Sequence, residues 1–167
     1  VTEILSVSAV GSLREDLPPG TFVVVDQFID RTFARVKSFF ETGCVAHVSM
    51  AHPVSPRLRI HLAAAAATAG INVVRDGTYV CIEGPQFSTL AESQLYRRWG
   101  MDIIGMTNLQ EAKLAREAEI AYATLALVTD YDCWHEAHDN VTVDMVIEYL
   151  NKNVRNAQLI LKDAVKR

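Results

Sequence analysis

The chain has 167 residues, a net charge of −4, a pI near 5.7, 50% hydrophobic residues and 22% charged ones. That is one globular domain with enough apolar side chains for a real core. No apolar run approaches the ~20 residues of a membrane span, no N-terminal stretch reads as a signal peptide, and mild acidity without a basic stripe argues against nucleic acid. Cys44, Cys81 and Cys133 are far apart and odd in number. They read as reduced, mostly buried thiols of a cytoplasmic protein rather than a disulfide or zinc set.

The chain opens directly in a strand-like run, Glu3–Val10, and closes inside a long helical pattern at Lys166 and Arg167. Both ends read as cuts through something larger. Ile4–Val10 is expected to be a buried strand ended by Gly11-Ser12. A glycine there frees the backbone to approach a ligand, and its neighbouring N–H groups suit an anion; a plain strand-ending turn explains it equally well. Thr21–Phe28 is a second strand. Residues 32–43 have no clean period and read as a mobile or partner-facing loop. Cys44–Met50 is expected to form a short strand carrying His47, a residue that is either structural or functional.

Ser55-Pro56 starts a helix, with Ser as N-cap and Pro at the first helical position. It runs through the Ala63–Ala67 tract to a C′ glycine at Gly70. Asp76-Gly77, between Ile71–Val74 and Thr78–Ile82, is the strongest short-range hairpin signal in the chain. The second of these strands leads into Glu83-Gly84-Pro85-Gln86-Phe87, a stiff corner that either holds a ring at a cleft or places a core aromatic. Thr89-Leu90-Ala91-Glu92 is a capping box opening a helix to Trp99. Met101–Met106 is a short buried strand. Asn108 is placed to cap a helix over Leu109–Glu119, whose N-terminus is a ready anion or ribose site. Thr142–Lys166 shows the apolar spacing of one long amphipathic helix.

The centre of the pattern is Ala126–His135, ALVTDYDCWH. The apolar, uncharged run of Ile120–Val128 reads as a strand buried on both faces, and Asp130 and Asp132 follow it. Ligands of α/β proteins sit beyond the carboxyl ends of strands, so these acids stand where chemistry happens; turn-forming acids are the plainer alternative. Strands alternating with helices give a single α/β domain over residues 1–167 with a central mixed sheet flanked by helices. Ser8 with Gly11, Met106-Thr107-Asn108, and Asp130 with Asp132 all lie at strand ends, and Phe87 lies at a corner. Gathered at one sheet edge, they offer donors for an anion, an aromatic plane, and acids for a nitrogen heterocycle.

The stretches SAVGSLRED, VVVDQFIDRT, IEGPQFST, WGMDIIGMTN and TDYDCWH resemble the methylthioadenosine phosphorylases of the trimeric purine nucleoside phosphorylase superfamily, over essentially the whole chain. The resemblance implies phosphorolysis of 5′-methylthioadenosine to adenine and 5-methylthioribose 1-phosphate, with phosphate as co-substrate and neither metal nor organic cofactor. By resemblance, Phe87 and Ser88 border the purine, and Asp130 hydrogen-bonds the adenine N6 and N7 side with Asp132 beside it. Met106 packs on the ribose, Asn108 lies next to it, and Thr107, Ser8 and Ala9 touch phosphate. His47 reaches the 5′ end of a neighbouring subunit's ligand in a homotrimer or a hexamer of trimers. The 6-oxopurine relatives place Asn at position 130 and Glu at position 88, so this chain favours adenine. The family's N-terminal Gly-rich loop and Arg-His pair, and its C-terminal extension, have no counterpart in the sequence, and Gln110 stands where the family usually has Pro. A truncated, non-catalytic purine-binding or assembly remnant, and a 6-oxopurine phosphorylase, stay open as alternatives.

Overall fold

The computed structural model describes residues 1–40, 42–135 and 143–167. Five strands and four helices follow one another: β1 (Glu3–Ser12), β2 (Phe22–Arg31), α1 (Pro56–Thr68), β3 (Val73–Ile82), α2 (Leu90–Arg98), β4 (Ile103–Gly105), α3 (Asn108–Glu117), β5 (Ala121–Asp130) and α4 (Val143–Ala164). The expected start of the last helix at Thr142 lies outside the described residues. The strands form one mixed sheet in the order β1-β4-β3-β2-β5, closed on itself. β1 runs parallel to β5, and β3 runs parallel to both β2 and β4; β2 meets β5, and β1 meets β4, antiparallel.

The period of 2 in β2 and β5 divides the interior in two. Phe22, Val24, Leu125 and Leu127 face α1 and α4, where they meet Leu58, Leu62, Ile160 and the small side chains Ala65, Ala66, Ala157 and Ala164. Val23, Val25, Ala126 and Val128 face the other way, onto Val10, Tyr79, Cys81, Ile103 and Leu109. A strand apolar on every residue is thus explained by cover on both faces. Leu62, Leu125 and Ile160 are 0% exposed, and burying each contributes roughly 1.5–3 kcal/mol.

The local signals for helices hold. The Ser55 hydroxyl accepts from the Leu58 N–H at the start of α1, Pro56 is its first residue, and Gly70 sits beyond its end at φ 69°. Thr89 and Glu92 form the reciprocal capping box of α2.

Two expectations are corrected. Asp76-Gly77 makes no hairpin: β3 runs straight through it, and both halves pair parallel to β2. Val24 pairs with Arg75 and Val25 with Gly77, so Asp76, at φ 68°, is the extra residue of a bulge. A Cβ at Gly77 would lie 2.4 Å from Val23 Cγ1. The dipeptide's tolerance of positive φ serves a kink in one strand instead of a reversal between two. Cys44–Met50 is not a strand, because the closed sheet presents no free edge for it to join. Residues 32–40 are irregular as expected, yet they are tied down by hydrogen bonds described below.

Candidate functional site

A cavity of about 210 Å³ opens where the ends of β1, β4 and β5 converge with the corner after β3. β1 contributes Ala9, Val10 and Gly11; the β4 end contributes Gly105, Met106 and Thr107; β5 and the turn after it contribute Thr129, Asp130 and Asp132. Phe87 and Ser88 come from the corner, and Val143 and Val146 from the first turn of α4.

The acids are built in by their own neighbours. Asp130 is 6% exposed. Its Oδ2 accepts from the Thr129 hydroxyl at 2.8 Å and its Oδ1 from the Asp132 backbone N–H at 2.8 Å. Burial pushes its pKa upward against those two bonds. Asp132 is equally buried and sits at φ 54°, a turn conformation that Asp tolerates. Burial, with the charge of Asp130 adding to it, pushes Asp132 up to about 6. Gly11 makes room for this arrangement, since a Cβ there would lie 2.8 Å from Asp130 Oδ1. Its signal was legible as backbone freedom; its use is to let a carboxylate in. Burial therefore raises the proton affinity of both acids, and at about 6 Asp132 can both hold and release a proton near neutral pH.

The opposite wall is a chain of hydroxyls. Ser8 Oγ lies 3.1 Å from Thr107 Oγ1, and the Thr107 N–H donates to the Tyr79 hydroxyl at 3.3 Å. Tyr79 is fully buried, and burial raises its pKa, so it is a neutral hydrogen-bonding post. Only glycine fits above it: a Cβ at Gly105 would lie 2.0 Å from the Tyr79 hydroxyl. Gly84, at φ 68°, likewise leaves space for the Met106 thioether, 2.6 Å from where its Cβ would be. Phe87 lines the cavity while 48% exposed. The Ser88 Oγ is buried and has no hydrogen-bond partner among the described residues.

Of the residues singled out in the sequence, Ala9, Phe87, Ser88, Met106, Thr107, Asp130 and Asp132 are brought together on the cavity, with Ser8 one hydrogen bond behind. Asn108 is not among them. Thr107 stands at the N-cap position of α3 without a side-chain cap bond, and Asn108 is turned inward, donating to Ser6 Oγ at 2.9 Å and the Tyr122 hydroxyl at 2.8 Å. Tyr122 in turn donates to Glu111 at 2.7 Å. An amide able to satisfy several buried partners is worth more there than as a cap. His47 is exposed on the irregular segment and stands apart from the cavity.

Sequence reasoning missed Val143 and Val146, whose spacing marked them only as part of an apolar helix face. It also missed Arg35, which lies in the segment read as a loop. The Arg35 guanidinium donates to the backbone carbonyls of Ile82 (3.1 Å), Glu83 (2.7 Å) and Met106, to the Gln110 amide oxygen (3.1 Å), and to the Glu83 carboxylate (3.4 Å). No group of metal-ligating side chains occurs among the described residues, and none of their helices is long and apolar enough to cross a membrane.

The chain is similar to the S-methyl-5′-thioadenosine phosphorylase of Bradyrhizobium diazoefficiens, 63% identical over 166 residues, covering 99% of this chain and 57% of that protein. The enzyme of the same name from Rhodospirillum rubrum is 66% identical over 162 residues, covering 97% of this chain and 55% of that one. Among solved structures, methylthioadenosine phosphorylase from Schistosoma mansoni in complex with adenine superposes with a TM-score of 0.95 at 41% identity, covering 99% of this chain and 65% of that one. A methylthioadenosine phosphorylase from an antarctic soil metagenomic library gives a TM-score of 0.91 at 57% identity, with coverage of 99% and 59%. The chain spans a little over half the length of the curated relatives it matches. The family model that fits residues 1–166 is that of the phosphorylase superfamily, and the chain belongs to it.

Proposed function

We propose that this chain supplies the purine and ribose portion of a site for phosphorolysis of 5′-methylthioadenosine, giving adenine and 5-methylthioribose 1-phosphate. The observation that carries the reading is the buried Asp130, facing a cavity that it shares with Phe87, Ser88 and Met106. Cleaving the glycosidic bond leaves positive charge on the ribose and sends electrons into the purine. Phosphate beside the sugar stabilises the first, and a proton delivered to N7 neutralises the second. Burial raises the affinity of Asp130 for a proton, which suits it to that delivery. Deprotonated, the same carboxylate accepts from the adenine N6 amine. A 6-oxopurine offers no such donor, and a mismatched buried pair costs roughly 1–3 kcal/mol.

Phosphate is assigned to the Thr107 and Ser8–Ala9 side, where hydroxyls and the N-terminus of α3 converge. Phosphorolysis so written needs no metal and no organic cofactor. Among the described residues the cavity lining holds two acids and no Lys, Arg or His, so the positive charge that a phosphate dianion calls for is assigned to the family's N-terminal Arg-His pair. We assign the protein to the cytoplasm on its three free thiols. A homotrimer, or a hexamer of trimers, is supported by the apolar surface of the segment that also carries His47: Phe33, Val36, Phe39 and Val45 are 63–80% exposed there. Light scattering tests the assembly.

The experiment for the activity is adenine release from methylthioadenosine with and without phosphate. Release only when phosphate is present is expected. Adenine binding without turnover would assign a purine-binding remnant instead, and equal turnover of inosine would assign a 6-oxopurine enzyme.

A further inference from the structure

We propose that Arg35 is a positioning residue that sets the width of the cavity by joining its two walls; the inference rests on the purine and ribose reading of that cavity. One wall is the corner that leaves β3 at Ile82 and Glu83 and carries Phe87 and Ser88. The other is the β4 end, where Met106 and Thr107 lead into α3. These two segments touch one guanidinium. Its Nη2 bonds the carbonyls of Ile82 and Glu83, while its Nη1 bonds the Met106 carbonyl and the Gln110 side chain on α3.

The fork geometry matters. A guanidinium is planar, with five N–H donors in fixed directions, so two carbonyls bound on one edge and one on another fix the distance and tilt between their strands. Arg35 is itself held, for its side chain is 19% exposed and its Nε faces the equally covered Glu83 carboxylate. That carboxylate also accepts from the Phe33 N–H at 2.6 Å and the Ala34 N–H at 3.3 Å. The segment bearing Arg35 is anchored again where Lys113 and the Thr32 N–H meet Asp30, and where Gln110 donates to Thr32. Among the described residues that line the cavity, Arg35 is hydrogen-bonded to two, at the backbone carbonyls of Ile82 and Met106. It acts through them.

Its removal should therefore loosen ligand binding more than it slows the chemistry at Asp130, which is held by separate bonds. With Arg35→Ala, the dissociation constant for adenine and the KM for methylthioadenosine are expected to rise tenfold or more, with kcat falling less than threefold. Because the lost group leaves a hole of its own shape, free guanidinium ion should restore at least half of the affinity, and sodium at equal ionic strength should not. Arg35→Lys, which keeps the charge but reaches fewer carbonyls, should fall between the two. Adenine affinity within twofold of the parent in Arg35→Ala would overturn the proposal. So would a weakened affinity that guanidinium leaves untouched, since that marks a general packing loss. Phosphate-dependent turnover by the unsubstituted protein tests the functional reading separately. Its absence would refute that reading, while calorimetric titration with adenine still decides the role of Arg35.

Discussion

The end of β5 and the segment 32–53 are both irregular stretches following strands, and they solve opposite problems. At the end of β5 and just after it, polar groups close on neighbours: Thr129 and the Asp132 N–H on Asp130, the Trp134 indole on the Ser12 carbonyl, Arg97 stacked 3.5 Å over the Trp134 ring. That turn is held by its own neighbours. Segment 32–53 is bonded at Arg35 yet leaves Phe33, Phe39, Val45 and His47 in solvent. The first stretch is complete in itself, and the second carries uncovered apolar surface away from the cavity. Preorganised electrostatics needs the first kind of stretch, and assembly needs the second.

Substitutions that break the turn after β5 should have the largest effects. Asp130→Asn keeps the shape but removes the proton donor, so phosphate-dependent adenine release should fall by 10²- to 10⁴-fold, the scale of general acid catalysis. Preference should move toward 6-oxopurines. Undiminished turnover of methylthioadenosine by this variant would remove Asp130 from the chemistry.

Asp132 sharpens the comparison through stability. Its folded pKa of about 6 lies above the ordinary 3.8, so the charged form is the one that burial penalises. The penalty is absent below the unfolded pKa and complete above the folded one. Asp132→Asn, which also suits the positive φ, should therefore be the more stable form at pH 7.5 by roughly 2–3 kcal/mol. The gap should shrink as pH falls through 6 and vanish near 4. Thermal melts of both proteins across that range measure it, and a gap that is constant with pH would refute the assignment.

Gly11→Ala forces a methyl against Asp130 Oδ1. Overpacking of this kind costs about 1–3 kcal/mol, and adenine affinity measured by calorimetry should drop at least tenfold while the fold persists. The smallest effect should come from the other region. His47→Ala should alter kcat on methylthioadenosine less than threefold while changing the ratio of methylthioadenosine to adenosine use. An unchanged ratio would detach His47 from the site.

How far the sequence reaches is itself a matter of range. The fully apolar β5 with acids at its end, the Ser55-Pro56 start and the Thr89–Glu92 box are legible because cause and effect lie within a few residues. Asp76-Gly77 misleads for the same reason. The dipeptide reports a local φ, and only the partner strand, some fifty residues earlier, decides between bulge and reversal. Asn108 could be read as a cap because its partners Ser6 and Tyr122 are remote in the chain. Arg35 was invisible, since its contacts lie 46–75 residues away and no pattern in its own segment points to them. Gly11, Met106, Thr107, Asp130 and Asp132 were readable together because strand ends of an α/β fold collect at one place, whereas Ala9 and Ser88 were reached only through the family resemblance.

The ring of strands is not equally strong all round. β1 is laddered to β5 along nearly its whole length, whereas it meets β4 only at Gly11 with Ile104 and at Ser12 with Ile103. That two-rung seam lies against the cavity, since Gly11 and Ile104 both line it. A fluctuation that parts the barrel at least expense does so there, leaving the rest of the cylinder intact. The weakest join in the scaffold and part of the cavity wall are thus the same few residues.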